Sequence, residues 1–185
     1  MAHTTSFKFS VREPAKDFCV PKAKYLETCE DTSFRHIATS TVVVDKTNPA
    51  VPRILLLQRA ADDEDPNKWE PPGGACDDDD ETILHGAARE LREEAGLEAT
   101  TIFGTVGDPV HFGLGDGSTV RRFTFAAQVE AGASVTPAVT LNPKEHQRYV
   151  WATKTEIEDG KAGDFQLEFT MREVRKLMLR SFEFF

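Results

Sequence analysis

The sequence predicts an α/β fold, and three observations predict it. Residues 38–44 are a β-branched stretch of strand length, and residues 54–57 are an apolar run long enough for a central strand and too short for a helix. Residues 80–95 place Ile83, Leu84, Ala87, Ala88, Leu91 and Ala95 on one face at about 100° per residue, which predicts an amphipathic helix packed on a sheet. Strand-like runs at 100–106 and 120–129 then precede a second helical stripe of Leu167, Met171, Val174, Leu177, Met178 and Phe182.

Bulk properties narrow the function. A chain of 185 residues suits one domain with a sizeable core. Its net charge of −9 disfavours a broad nucleic-acid or anionic-membrane surface. It permits a small phosphorylated substrate if a divalent cation bridges the two. Cys19, Cys29 and Cys76 are an odd set without metal-type spacing, which reads as free thiols in a reducing compartment. No apolar run approaches the roughly 20 residues of a membrane span. The N-terminus lacks the apolar core of a signal peptide, so the expected location is cytoplasmic.

Residues 1–35 read as an N-terminal extension and 36–185 as the domain proper. Phe7, Phe9 and Val11 alternate with polar neighbours and predict a short edge strand. Pro14 and Pro21 break the chain after it, and residues 22–30 suit a turn or two of helix. The strand at 38–44 ends at Asp45, and a loop with Pro49 and Pro52 leads to the strand at 54–57. Gln58 and Arg59 leave it for a polar, acidic loop. Trp69 and Glu70 then precede Pro71, Pro72, Gly73 and Gly74, which force a fixed non-helical backbone. Asp78, Asp79 and Asp80 are N-cap candidates for the helix, and Gly96 suits its left-handed C-cap. Residues 113–117 predict a turn, 132–143 a loop and 149–151 a short strand. A helical turn starts near Thr155, and a C-terminal helix over 166–181 packs on the core.

The chemistry sits on the first helix. Glu90, Glu93 and Glu94, spaced i, i+3, i+4, share a face beside the apolar stripe. Three carboxylates so close destabilise a helix unless they hold cations. Oxygen-only ligands suit Mg²⁺ or Mn²⁺. Arg89, four residues before Glu93, is placed to hold that carboxylate. Gly86 costs roughly 1 kcal/mol in a helix interior and implies that something packs closely there, whether substrate, metal-bound water or a loop.

The segment from Arg89 to Leu97 resembles the core of the Nudix box, Gly-x5-Glu-x7-Arg-Glu-U-x-Glu-Glu-x-Gly-U, where U is aliphatic. Glu81, eight residues before Arg89, matches the earlier glutamate, and residues 69–74 look like the usual approach to the box. Counted from Glu81, the glycine position falls on Ala75 rather than Gly74. Either residues 77–80 supply a one-residue insertion or alanine replaces the glycine. The similarity extends over roughly 36–160. It implies an α/β/α sandwich with a mixed sheet that hydrolyses a nucleoside diphosphate linked to another moiety. It implies Glu90, Glu93 and Glu94 as ligands of Mg²⁺ or Mn²⁺, with a loop carbonyl from Gly74 or Ala75. Glu81 and Arg89 would orient the site. Glu145 would serve as a further ligand or, like Glu90, as general base.

Candidates for contact with phosphate or the linked moiety are Arg59, Arg121, Arg122, Lys144 and Arg148, with Trp69 or Phe112 to stack on a base. Specificity is expected from loops 48–52, 61–68, 110–119 and 131–143. Homodimers are common among such proteins, and the extension could support one. Two rivals share the fold: a non-catalytic nucleotide- or protein-binding module, favoured by the altered glycine spacing, and an isoprenoid diphosphate isomerase, which would need Cys76.

Overall fold

The computed structural model describes residues 7–130 and 135–184. Strands β1 (Ser10–Val11), β2 (His36–Asp45), β3 (Arg53–Arg59), β4 (Trp69–Glu70), β5 (Ala99–Thr105), β6 (Val110–Gly113), β7 (Thr119–Val129) and β8 (His146–Thr153) form one mixed sheet. Its spatial order is β1-β5-β7-β2-β3-β4, with β6 beside β7 and β8 beside β3. The central pair β2–β7 is parallel, whereas β3 runs antiparallel to both β4 and β8. Among the described residues, the small strands β9 (Lys161–Ala162) and β10 (Phe165–Gln166) form a separate antiparallel pair.

Helices cover both faces, so the central strands are apolar on both sides. On one face, α2 (Ile83–Ala95) packs Ile83, Leu84 and Ala87 against Ile37, Phe123 and Phe125, and packs Ala88, Leu91 and Ala95 against Val43, Leu55 and Leu57. On the other, α3 (Lys154–Asp159) and α4 (Arg172–Ser181) pack Ile157, Val174, Leu177 and Met178 against Val42, Ile54, Leu56 and Ala126. The result is an α/β/α sandwich. Residues 7–35 share its core: β1 joins the sheet edge beside β5, and Phe9, Phe18 and α1 residue Tyr25 (helix Lys22–Thr28) lie against the α2-side cluster. Among the described residues, no helix is long and apolar enough to cross a membrane.

Three elements differ from the sequence expectation. Helix α2 begins at Ile83, capped by the Thr82 hydroxyl accepting from the His85 amide, and not at an aspartate of the acidic run. Residues 110–113 form β6, which the glycine-rich context concealed. Helix α4 begins at Arg172, because the backbone of residues 166–170 is bound elsewhere. Trp69 donates its amide to Glu168 and its indole N–H to Gln166, and accepts from the Thr170 amide. Of the loop expected over 131–143, residues 131–134 lie outside the described residues.

The β2–β3 corner is closed by Asp45, which is 3% exposed. Burial alone would raise its carboxyl, but the Thr47 amide, Arg53 at 2.5 Å and the Thr136 hydroxyl at 2.9 Å outweigh that and lower it. A depressed carboxylate stabilises the fold above its unfolded value of 3.8 and loses that contribution as pH falls through the folded value. Asp45→Asn is therefore expected to cost about 2 kcal/mol at pH 7 in urea unfolding. The gap from wild type should close as pH falls below about 4.

Candidate active site

Three segments converge to build the site: the loop 71–80, α2 and the loop 140–146. The first runs as an added strand along β2. The Thr41 amide donates to Pro72 O, the Thr39 amide to Gly74 O, and the Cys76 amide to Ile37 O, each within 2.9 Å. Gly73 is required here. Its φ is +157°, and a Cβ would lie 2.2 Å from the Thr39 carbonyl, which cannot move aside. Its amide donates to Glu94 Oε2 at 2.7 Å, fixing loop to helix.

The spacing ambiguity is resolved by Arg89. Its guanidinium grips Asp80, with Nε to Oδ1 at 2.9 Å and Nη2 to Oδ2 at 3.0 Å, and also donates to Glu90, to Glu93 and to the Ala75 carbonyl. Asp80, 6% exposed at its side chain, lies six residues after Gly74, so glycine and acid keep the box spacing. The extra residue lies between Asp80 and the helix. Glu81, predicted to orient the site, stands at the surface, 73% exposed at its side chain and 3.5 Å from His85 Nε2. Gly86 makes room for this arrangement, since a Cβ there would stand 2.7 Å from Asp80 Oδ2 and 3.2 Å from Cys76 Sγ. Loop packing explains that glycine.

The two loop carbonyls nominated from the sequence each accept one hydrogen bond. Gly74 O accepts from Thr39, and Ala75 O accepts from Arg89 at 2.8 Å. Strand alternation turns the Gly73 carbonyl away from β2, and among the described residues it has no hydrogen-bond partner. Gly74 matters for another reason: its Cβ would meet the Glu90 carboxylate at 2.8 Å. A carboxylate end can swing aside, so Gly74→Ala should fold. It should also displace Glu90, and about a tenfold loss in turnover is expected, read by steady-state kinetics beside an unchanged melting curve.

The third segment is stitched to the end of α2. Thr140 and Asn142 amides donate to the carbonyls of Ala95 and Glu94, and the Asn142 carbonyl accepts from the amides of Glu145 and His146. Asn142 Nδ2 also donates to Glu145 Oε1 at 3.0 Å. Ligand atoms of Glu94, Glu145 and His146 consequently lie within 4.8 Å of one another. Glu90 and Glu70 complete the surroundings. Burial raises the Glu94 carboxyl well above the carboxylate range against the Gly73 N–H, and Glu90, Glu70 and Glu145 push it further. Burial likewise raises Glu90, against Arg89. A buried Glu94 with one N–H for compensation, ringed by further carboxylates, is the electrostatic counterpart of a divalent cation, and the residues present fit one: Glu90, Glu94 and Glu145 would hold it. Glu93 stands at the rim, half-exposed, with Arg89 at 3.2 Å.

Other expected contacts are corrected. Trp69 is fully buried and so cannot stack on a base. Arg59 is bound at 2.5 Å to both Glu70 and Asp63, which leaves its guanidinium committed within the protein. Arg122 is buried at 3.7 Å from Glu70, and Arg121 pairs with Asp31. Cys76 is 2% exposed with its Sγ packed beside Gly86, and burial pushes its thiol up to about 12, with Asp80 adding to it, which counts against the isomerase reading. Sequence reasoning missed Asp80, Glu70, Asn142 and His146.

Known proteins share this architecture. A family model described as NUDIX domain matches residues 34–172. No curated protein matches the chain. Solved structures do. A MutT protein from Methanosarcina mazei Go1 is 23% identical, covering 83% of this chain and 97% of its own, at a TM-score of 0.60. The NUDIX domain of Shewanella oneidensis NrtR, solved with ADP ribose, is 17% identical over 89% of this chain and 98% of its own, also at 0.60. A C. elegans Ap4A hydrolase is 21% identical over 81% and 97%, at 0.61.

Proposed function

Because the chain belongs to the Nudix family, we propose that it is a divalent-cation-dependent hydrolase cleaving a pyrophosphate bond in a nucleoside diphosphate linked to another moiety. The observation that carries the reading is the gathering of Glu90 and Glu145 around Glu94 from two segments, with Glu94 buried and its charge met by the Gly73 N–H. Mg²⁺ or Mn²⁺ held there would supply charge neutralisation to phosphate oxygens and would acidify water. The chain's own groups do the rest. Glu145, the more exposed carboxylate, takes the proton of the attacking water, held in place by Asn142. Gly73 N–H and Arg89 keep Glu94 and Glu90 from moving as charge builds up, so that catalysis is mostly positioning.

The substrate is a small phosphorylated molecule. ADP-ribose and diadenosine polyphosphates lead the candidates, since structurally similar proteins carry those names. The test is hydrolysis with chromatographic product analysis across ADP-ribose, NAD(H), diadenosine polyphosphates, nucleotide sugars, coenzyme A, nucleoside triphosphates and diphosphoinositol phosphates. Cation-dependent cleavage of one class supports the reading and names the linked moiety. Silence across the panel beside tight nucleotide binding would replace the enzyme by a binding module.

A further inference from the structure

The His146 ring is 3% exposed, and neither of its nitrogens has a hydrogen-bond partner. Leaving a buried polar group unpaired costs about 1–3 kcal/mol, so the fold tolerates this ring at a loss. Glu145 ends the turn before β8 and His146 opens the strand, and ligand atoms of both lie within 4.8 Å of one on Glu94. A register shift follows at once: Gln58 pairs with Arg148, but Arg59 pairs with His146, leaving Gln147 as an extra residue. Such bulges recur beside sites. The two faces of the bulge are held independently, by the Ala60 amide on Glu145 O and by Gln147 Nε2 on Arg59 O at 2.9 Å.

We propose that His146 supplies a nitrogen ligand to the cation held by Glu94 and Glu145, making this a mixed nitrogen–oxygen site that prefers Mn²⁺ or another transition ion to Mg²⁺. The inference rests on the cation-dependent reading of the same site. Donor atoms about 2.1 Å from one ion stand at most about 4.2 Å apart, so three atoms within 4.8 Å need only a small closure. Imidazole suits transition ions, whereas Mg²⁺ takes oxygen and keeps its waters. A bound ion would also give the ring the partner it lacks.

The test is pulsed electron paramagnetic resonance of the full chain with one equivalent of Mn²⁺, read for coupling to ¹⁴N, beside calorimetric titration with Mn²⁺ and with Mg²⁺. The expected result is ¹⁴N coupling in wild type that disappears in His146→Gln. Mn²⁺ affinity should fall tenfold or more, and Mg²⁺ affinity should change by less than about threefold. Bound Mn²⁺ without ¹⁴N coupling, or equal losses for both ions, would overturn the nitrogen ligand and leave the cation reading standing. Failure of wild type to bind Mn²⁺ would overturn both. Should His146→Gln not fold, the wild-type spectrum decides alone.

Discussion

Glu94→Gln should lose at least two orders of magnitude in turnover and none of its fold. The substitution keeps the side chain's size and an oxygen to accept from Gly73 N–H at 2.7 Å, so the tie between loop and helix survives. It removes only the charge. That charge is 6% exposed and surrounded by Glu70, Glu90 and Glu145, so burying it works against folding when no cation is bound. The variant should thus melt at or above the wild-type temperature in chelator, while its rate falls by about a hundredfold to a thousandfold. A structural role for Glu94 predicts the opposite pair: lower stability with activity in proportion to the folded fraction. One melting curve and one rate separate the two.

Arg89→Ala should have the largest effect on stability. One guanidinium serves Asp80, Glu90, Glu93 and the Ala75 carbonyl, and is 18% exposed at its side chain. Its removal leaves the buried Asp80 carboxylate with the Asp77 amide, at 2.8 Å, in place of a cation. Breaking such a pair costs about 3 kcal/mol, nearly all of it from Asp80 and Glu90, because the half-exposed Glu93 contact is worth little. For a chain of this size that is a fall of about 6–12 °C in Tm. Arg89→Lys should regain less than half, since an ammonium cannot reproduce the two-pronged grip on Asp80 while reaching Ala75. A loss under about 1 kcal/mol for Arg89→Ala would show that the network is not what holds loop 71–80 to α2.

The part of this arrangement that is local in sequence was legible there. The apolar stripe of α2, its Gly96 cap and the i, i+3, i+4 glutamates follow from helical periodicity alone, and the structure keeps all three. The strands at β2, β3, β5 and β7 were likewise readable from β-branched residues, short apolar runs and partial alternation. What escaped depends on contacts between distant segments. Counting back from Arg89 chose Glu81 over Asp80, since a spacing assumes an unbroken register and the extra residue lies just outside the helix. Trp69 looked like a stacking platform because its covering segment arrives from 97 residues further along. His146 was hidden because its burial beside Glu94 depends on the pairing of β8 with β3, a segment far away in sequence. The surroundings of the Gly74 and Ala75 carbonyls were equally hidden, since their partners Thr39 and Arg89 come from other segments.

If this carboxylate cluster works through a divalent cation on a pyrophosphate bond, cleavage must follow the cation. The decisive measurement takes the best substrate from the hydrolysis panel and follows its cleavage in chelator, then as Mg²⁺ or Mn²⁺ is restored, for wild type and Glu94→Gln. The expected result is no cleavage in chelator, saturable recovery in wild type, and recovery lower by at least about a hundredfold in the variant at every cation concentration. Cleavage that continues in chelator, or a variant that recovers to within a few-fold of wild type, would contradict it.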